Sequence, residues 1–144
     1  MFVGWQYKSL FAAAGACLVW LIGGWDTLAQ ALVLLMWLDV VAGFARAFVE
    51  KRLNSSIMRR GLIRKSCYFL AIILAVLVDR AVFDGSPAAR TLVISYLCIN
   101  EALSVIEHLA AVGVPLPAQL KQALERARKE LANDPDERPD NHPA

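Results

Sequence analysis

Residues 32–65 read LVLLMWLDVVAGFARAFVEKRLNSSIMRRGLIRK, and the rest of the chain follows from how this stretch is understood. It opens as an apolar helix. Asp39, Gly43 and Arg46 recur at i, i+4 and i+7, so at 100° per residue they share one helical face. The stretch then turns basic. Lys51, Arg52, Arg59, Arg60, Arg64 and Lys65 stand against Glu50 alone, six against one, for a net charge of +5. An acid and a base inside an apolar helix, followed by a cationic anchor, point to a membrane helix with polar work to do inside the bilayer.

Composition agrees. The 144 residues are 58% hydrophobic and 19% charged, with a mean hydropathy of +0.47. Soluble domains run at about 45–50% apolar and about 25% charged. Most of the charges lie in the loop after Phe48 and the tail after Pro117. What remains is too apolar for a water-facing surface, so the bilayer is taken as the solvent. The basic loop lacks the interleaved aromatics of a nucleic-acid platform, which favours a topology anchor and no nucleic-acid partner. Cys17, Cys67 and Cys98 each sit in an apolar segment, with neither CxxC spacing nor a nearby His cluster. They are expected to act as small hydrophobes, with no disulfide, metal or cofactor.

Four apolar segments follow. The first covers residues 9–24 and is short for a span, which needs about 20 residues. Trp5 and Tyr7 at one end, and Trp20 and Trp25 at the other, suit interfacial belts. Ala12 and Ala16 offer a small-xxx-small face. The AAAGA run lies at the start of the apolar stretch instead of after it, so an uncleaved helix is expected rather than a signal peptide. Gly23-Gly24 breaks this helix, and Asp26-Thr27 starts the second, residues 27–49. There Gly43 and Ala47 form another small-xxx-small pair. Asp39 is too short to snorkel far, so it must face protein or water. Arg46, near the helix end, also has the interface within reach.

The loop at 50–65 is cytoplasmic by the positive-inside rule. Asn54-Ser55-Ser56 suits a turn and N-cap for a short amphipathic helix. Its Ile57, Met58, Leu62 and Ile63 would dip into the interface while the arginines meet anionic lipid. The third segment covers residues 66–83, with Asp79 on the face of Ala75, Ile72 and Tyr68. Asp79, Arg80, Asp84 and Arg90 sum to zero, which fits an outside loop. The fourth covers residues 91–112. Asn100, Ser104, Glu107 and Ala111 fall on one side, flanked by Glu101 and His108, opposite Ile99, Leu103, Ile106 and Ala110. A spanning helix must turn such a stripe to protein or water; a helix lying in the interface is the alternative. His108 is a titratable group or a polar partner for Glu101 or Glu107.

Gly113 and the prolines at 115 and 117 end that helix. An amphipathic cytoplasmic helix is predicted within residues 113–132, with Leu116, Leu120, Leu124, Ala127 and Leu131 on one side. The Pro- and Asp-rich residues 133–144 are expected to be disordered. The fold class is therefore an all-α integral membrane protein with about four spans over residues 1–112 and both termini cytoplasmic. Enzyme chemistry finds no support. There is no Ser/His/Asp arrangement and no Gly-rich phosphate loop, and the adjacent Glu107 and His108 point about 100° apart on a helix.

Leu38-Asp39, Gly43, Ala47, Lys51, Leu53, Ser55-Ser56, Gly61 and Lys65 resemble the pattern of the toxin-secretion and phage-lysis holins, which include the clostridial toxin-release holin. Asp79, Asn100-Glu101, Ser104, Glu107 and residues 113–117 continue it, so the likeness covers about residues 32–124. Asn54 and His108 depart from the pattern. The resemblance implies a phage or prophage protein of the bacterial cytoplasmic membrane that oligomerises into pores. Such pores let a cell-wall hydrolase out, collapse the membrane potential, or in some relatives permit toxin export. Asp39, Arg46, Asp79 and the stripe Asn100, Glu101, Ser104, Glu107 and His108 are then the candidates for lining a pore, with Gly43 and Ala47 for helix exchange. Two other readings stay open: a small proton-coupled transporter with Glu101 and His108 as relay, and a structural or regulatory membrane subunit.

Overall fold

The computed structural model describes residues 3–51 and 55–132, and their side chains except at residues 3–7, 55–58 and 60. The expectations for Trp5, Tyr7, Arg52, Asn54, Ile57, Met58, the Arg60 side chain and the tail at 133–144 lie outside the described residues. Five helices follow in order: α1 (Val3–Leu21), α2 (Thr27–Val49), α3 (Ser55–Val82), α4 (Ala88–Ala111) and α5 (Ala118–Ala132). Among the described residues there is no strand.

Helix boundaries have local causes. Asp26 is extended and accepts from Ala29 N at 2.9 Å, capping α2. Beyond Glu50, Lys51 adopts φ 52°, and the helix stops. The α3–α4 turn uses Asp84 at φ 50° and Gly85 at φ 81°, and Gly85 N returns to Asp79 O at 2.9 Å. Pro87 has no side chain with which to cap α4. Asp79 supplies the cap from α3 instead, accepting from Ala89 N at 2.7 Å and Arg90 N at 2.9 Å. Gly113, at φ 90°, closes α4, with Val114 N on Leu109 O.

The third segment is where the structure departs most from expectation. Residues 55–65 do not form a separate surface loop; they are the first three turns of α3. Nothing between Ser55 and Ser66 halts a helix, and the single Gly61 is tolerated. Arg59 and Arg64 stay exposed on this helix, as a surface anchor would. Lys65 does not: it is 8% exposed and turned inward.

Helix α4 is the hub, packed against α2, α3 and α5. The apolar core joins Ile22, Leu32, Ile72, Val76, Ile94 and Leu97, with Ile94 at 1% exposure. By contrast Leu34, Trp37, Phe44, Leu70 and Leu74 are all more than half exposed. A water-soluble bundle buries such residues; a bundle in lipid does not have to, because acyl chains are as apolar as they are. Three helical stretches among the described residues are long and apolar enough to cross a membrane: Thr27–Val49, Gly61–Val82 and Ala88–Ala111. The apolar part of α1, Lys8–Leu21, is shorter. Its side chains from Lys8 to Trp20, Ala12 and Ala16 included, are exposed.

Candidate functional site

Two polar constructions interrupt this apolar bundle. The first lies along the shared seam of α2, α3 and α4. On α4, Arg90, Ile94, Leu97, Glu101 and His108 follow one another at spacings of three, four and seven, so they line one face. On α3 the face runs through Lys65, Ile72, Val76 and Asp79. Asp39 and Gly43 stand one turn apart on α2. Lys65 Nζ donates to the Glu101 carboxylate and lies 3.1 Å from Asp39 Oδ2. His108 Nε2 is 3.5 Å from Asp39 Oδ1. The side chains of Lys65, Asp39 and Glu101 are 10%, 14% and 5% exposed, so this ion network is withdrawn from solvent. Tyr68 stands beside Glu101. With His108 neutral, two carboxylates face one ammonium and the formal charge is −1.

Gly43 makes the His108 contact possible. A Cβ there would sit 3.3 Å from His108 Nε2. Gly43→Ala would gain about 0.8–1 kcal/mol of helix propensity and spend it on shifting the ring. Its stability is expected to stay within about 1 kcal/mol of wild type, whereas Gly43→Val, overpacking the seam, loses about 1–3 kcal/mol. Thermal unfolding in detergent checks both. A larger loss for Ala than for Val would contradict this packing.

The second construction ties the α1–α2 turn to the start of α4. Arg90 is 4% exposed. Its Nε donates to Ile22 O at 2.6 Å and its Nη2 to Gly24 O at 3.1 Å. Its Nη1 and Nη2 meet the Asp26 carboxylate at 2.7 and 3.1 Å. Gly23 is required here twice over, by φ +79° and because a Cβ would come within 2.8 Å of Arg90 Cδ. Nearby, Arg80 donates to Trp20 O at 3.1 Å, with its guanidinium 4.2 Å from the Trp20 ring centroid.

The Arg90 hydrogen bond, helped by the Ala29 N–H, pulls the Asp26 carboxyl down to about 2. A carboxyl depressed on folding contributes stability above its ordinary value of 3.8, and that contribution is lost as pH falls through about 2. The Asp26–Arg90 contact is thus expected to persist through mild acid. Titration of Asp26 by carboxyl NMR checks this; a midpoint near 3.8 would mean the pair does not form.

The expected site residues divide. Asp39, Glu101 and His108 come together, joined by Lys65, the last residue of the basic run. Glu107 is exposed, while Asn100 and Ser104 are half-buried beside the seam, and neither joins the ion network. Arg46 pairs with Glu50 at 2.7 Å instead of Asp39, at 40% exposure. Asp79 is buried at the opposite end as the α4 cap. Ala47, one turn after Gly43, is half-buried, and Lys51 is exposed beyond the end of α2. Arg90, in sequence one of four loop charges that sum to zero, is a buried anchor. The signal that would have found it is its opposite charge to Asp26 at the same end of a four-segment chain. Among the described residues no group of three or more His, Cys, Asp or Glu is suited to hold a metal ion.

Comparison with known proteins places these features in company. The profile of the bacteriophage holin family matches residues 16–129. An uncharacterized 14.9 kDa protein in the nagH 3′ region of Clostridium perfringens is 34% identical over 125 residues, 87% of this chain and 92% of that one. The uncharacterized protein YqxH of Bacillus subtilis is 33% identical over 121 residues, 82% and 85% of the two chains. A probable holin of Bacillus phage phi105 is 30% identical over 93 residues, 65% of this chain and 68% of that one. No solved structure matches the chain.

Proposed function

The chain belongs to the bacteriophage holin family, and we propose that it oligomerises in the bacterial cytoplasmic membrane into pores that depolarise the cell or let a cell-wall hydrolase pass, ending in lysis. Four spans with both termini cytoplasmic suit this role. The exposed Lys51, Arg59 and Arg64 then lie at the inner surface, where anionic lipid attracts them. The hydrolase is a functional partner and needs no direct contact. Export of a toxin or other protein through the same lesion is a variant of this reading.

The observation that carries the proposal is the withdrawn ion network in an otherwise lipid-compatible bundle. A charge facing lipid at mid-bilayer costs about 2.5–3.5 kcal/mol on insertion scales, so a monomer must hide these groups between helices. Hiding them gains little, because desolvation of a buried ion pair roughly cancels its Coulomb attraction. A water-filled lumen offers the same groups hydration. At high density the helices exchange partners near Gly43 and Ala47, and Asp39, Glu101 and His108, with Asn100, Ser104 and Glu107 beside them, turn toward that lumen. The monomer is thus a store of polar surface that assembly can wet.

Induction in a host, recording membrane potential and release of a cytoplasmic protein together, tests this. Asp39→Ala and Glu101→Ala should each change lysis timing. Unaltered timing and oligomer size in both variants would sink the role given to the network. A proton-coupled transporter is the second reading, favoured by the His108–Asp39 approach. It requires substrate-dependent proton flux in vesicles without leakage of larger solutes.

A further inference from the structure

We propose that the cleft between the end of α1 and the end of α3 binds the phosphate group of a membrane phospholipid, held by Arg80 beside Trp20 and the Gly23-Gly24 turn. The cleft measures about 460 Å³ and is lined by Ala16, Val19, Trp20, Gly23, Gly24 and Arg80. That size falls among small-molecule sites, which run at about 300–1,000 Å³. Ala16, Val19 and Trp20 stand at i, i+3 and i+4 on one face of α1. Among the described residues α1 and α3 make no extensive contact, so what surrounds the protein fills the space between them.

Position narrows the occupant. The cleft lies at the end of the bundle away from the exposed Lys51, Arg59 and Arg64. Trp20 and Trp25 stand at this end, 64% and 52% exposed. Exposed indoles at the end of an apolar bundle sit at the level of lipid headgroups. At Gly24 nothing lies within 4 Å of where a Cβ would stand, so the turn leaves the mouth open.

Chemistry names it. Arg80 is exposed, yet its guanidinium is oriented by the Trp20 ring and the Trp20 carbonyl. That carbonyl takes one N–H of Nη2, which leaves a complete two-donor edge of the fork. The nearby acids do not answer its charge. Asp26 is bound to Arg90, and Asp79 accepts from Ala89 N and Arg90 N. Asp84, in the α3–α4 turn, pairs with neither arginine among the described residues. A planar fork fixed on an aromatic face is the group that takes a phosphate through two parallel hydrogen bonds. A free phosphate would give up its hydration for this one cation. A phospholipid also brings glycerol and acyl chains to the apolar wall of Ala16 and Val19, so the lining selects the lipid. The bound lipid bridges α1 to α3 and gives α1 a lateral partner. This inference rests on the membrane-spanning bundle and not on the pore reading.

The experiment uses the full chain in phosphatidylglycerol–phosphatidylethanolamine vesicles doped with phosphatidylglycerol that carries a diazirine beside its phosphate. After photolysis, peptide mass spectrometry should find lipid adducts within residues 16–24, with adducts near Arg59 and Arg64 as the internal reference. Arg80→Gln should lower the 16–24 adducts about tenfold against that reference. Because Arg80 also holds the Trp20 carbonyl, Ala16→Phe is the second variant; it fills the cleft, keeps the arginine and should lower the same adducts. A diazirine-bearing diacylglycerol, which has the chains without the phosphate, should label residues 16–24 equally in wild type and Arg80→Gln. Adducts at 16–24 that are absent, or undiminished in both variants, overturn the proposal. So does displacement of the label by inorganic phosphate, which would make the site one for the free anion. Copies joined to each other through Ala16→Cys on mild oxidation, with no lipid adduct at 16–24, would hand the cleft to a second copy of the chain and overturn it as well.

Discussion

Lys65→Met is expected to unfold the packed bundle or drive it into premature assembly. The substitution keeps the side chain's bulk and removes the one fixed cation that touches both Asp39 and Glu101. Two carboxylates are then left facing each other across the α2–α4 seam. Removing one partner of a buried ion pair costs about 3–5 kcal/mol, because the remaining charge is stranded in a low dielectric. Whole domains are stable by about 5–15 kcal/mol, so this loss decides the outcome. Stability measured by denaturant titration in detergent should fall by that amount, and induced cells should lyse early or accumulate little protein. The neutral triple variant Asp39→Asn, Lys65→Met, Glu101→Gln should regain most of the stability, since it strands no charge. Lys65→Arg should restore only part, because a planar fork does not fit a site built around a point charge. A Lys65→Met protein as stable as wild type would show that the network does not hold the helices.

The same residue shows where the sequence was legible and where it was not. An Asp in the middle of an apolar helix, and a Glu on another, must be turned inward whatever the fold, so Asp39 and Glu101 stood out. Lys65 did not, because it closes a run of six basic residues, and charge counting treats them as one class. Helical continuity separates them. The face shared by Asp79, Ala75, Ile72 and Tyr68 reaches Lys65 one turn earlier if α3 is extended back, and in the structure α3 does begin at Ser55. Arg59 and Arg64 fall off that face and stay exposed. The stripe on α4 was legible as polar but not in its orientation. Glu101 and His108, seven residues apart, set the inward edge, which leaves Glu107 outside. Arg90 was harder to read for a different reason, and only its charge opposite Asp26 marked it. Half of its side-chain hydrogen bonds go to backbone carbonyls, at Ile22 and Gly24, and no residue type marks a carbonyl that turns inward.

That dependence on backbone carbonyls makes Arg90→Leu the second large perturbation expected. Among the described residues helix α1 packs extensively on no other helix, so its direction is set at its end, by Arg90 on the Ile22–Asp26 turn and Arg80 on Trp20. Leucine would leave the Ile22 and Gly24 carbonyls without their donor, and hydrogen bonds to charged groups contribute about 1.5–3 kcal/mol each. The Asp26 share is smaller, since that carboxylate is half exposed and screened. A loss of about 3–6 kcal/mol is expected on these terms. Helix α4 should survive, because Asp79 caps it through the main-chain N–H groups of residues 89 and 90, which the substitution keeps. The effect should therefore be local. Spin labels at residues 12 and 74 should report a distance distribution between α1 and α3 that broadens, while helix content stays near wild type. Arg90→Lys should not rescue, as one ammonium cannot serve Ile22 O, Gly24 O and Asp26 together. Gly23→Ala should reproduce the broadening from the other side, since its Cβ would collide with Arg90 Cδ at 2.8 Å. If the distribution stays as narrow as wild type in all three variants, α1 is held by something other than this arginine. If it broadens and lysis timing also moves, the orientation of α1 is part of what keeps the monomer closed.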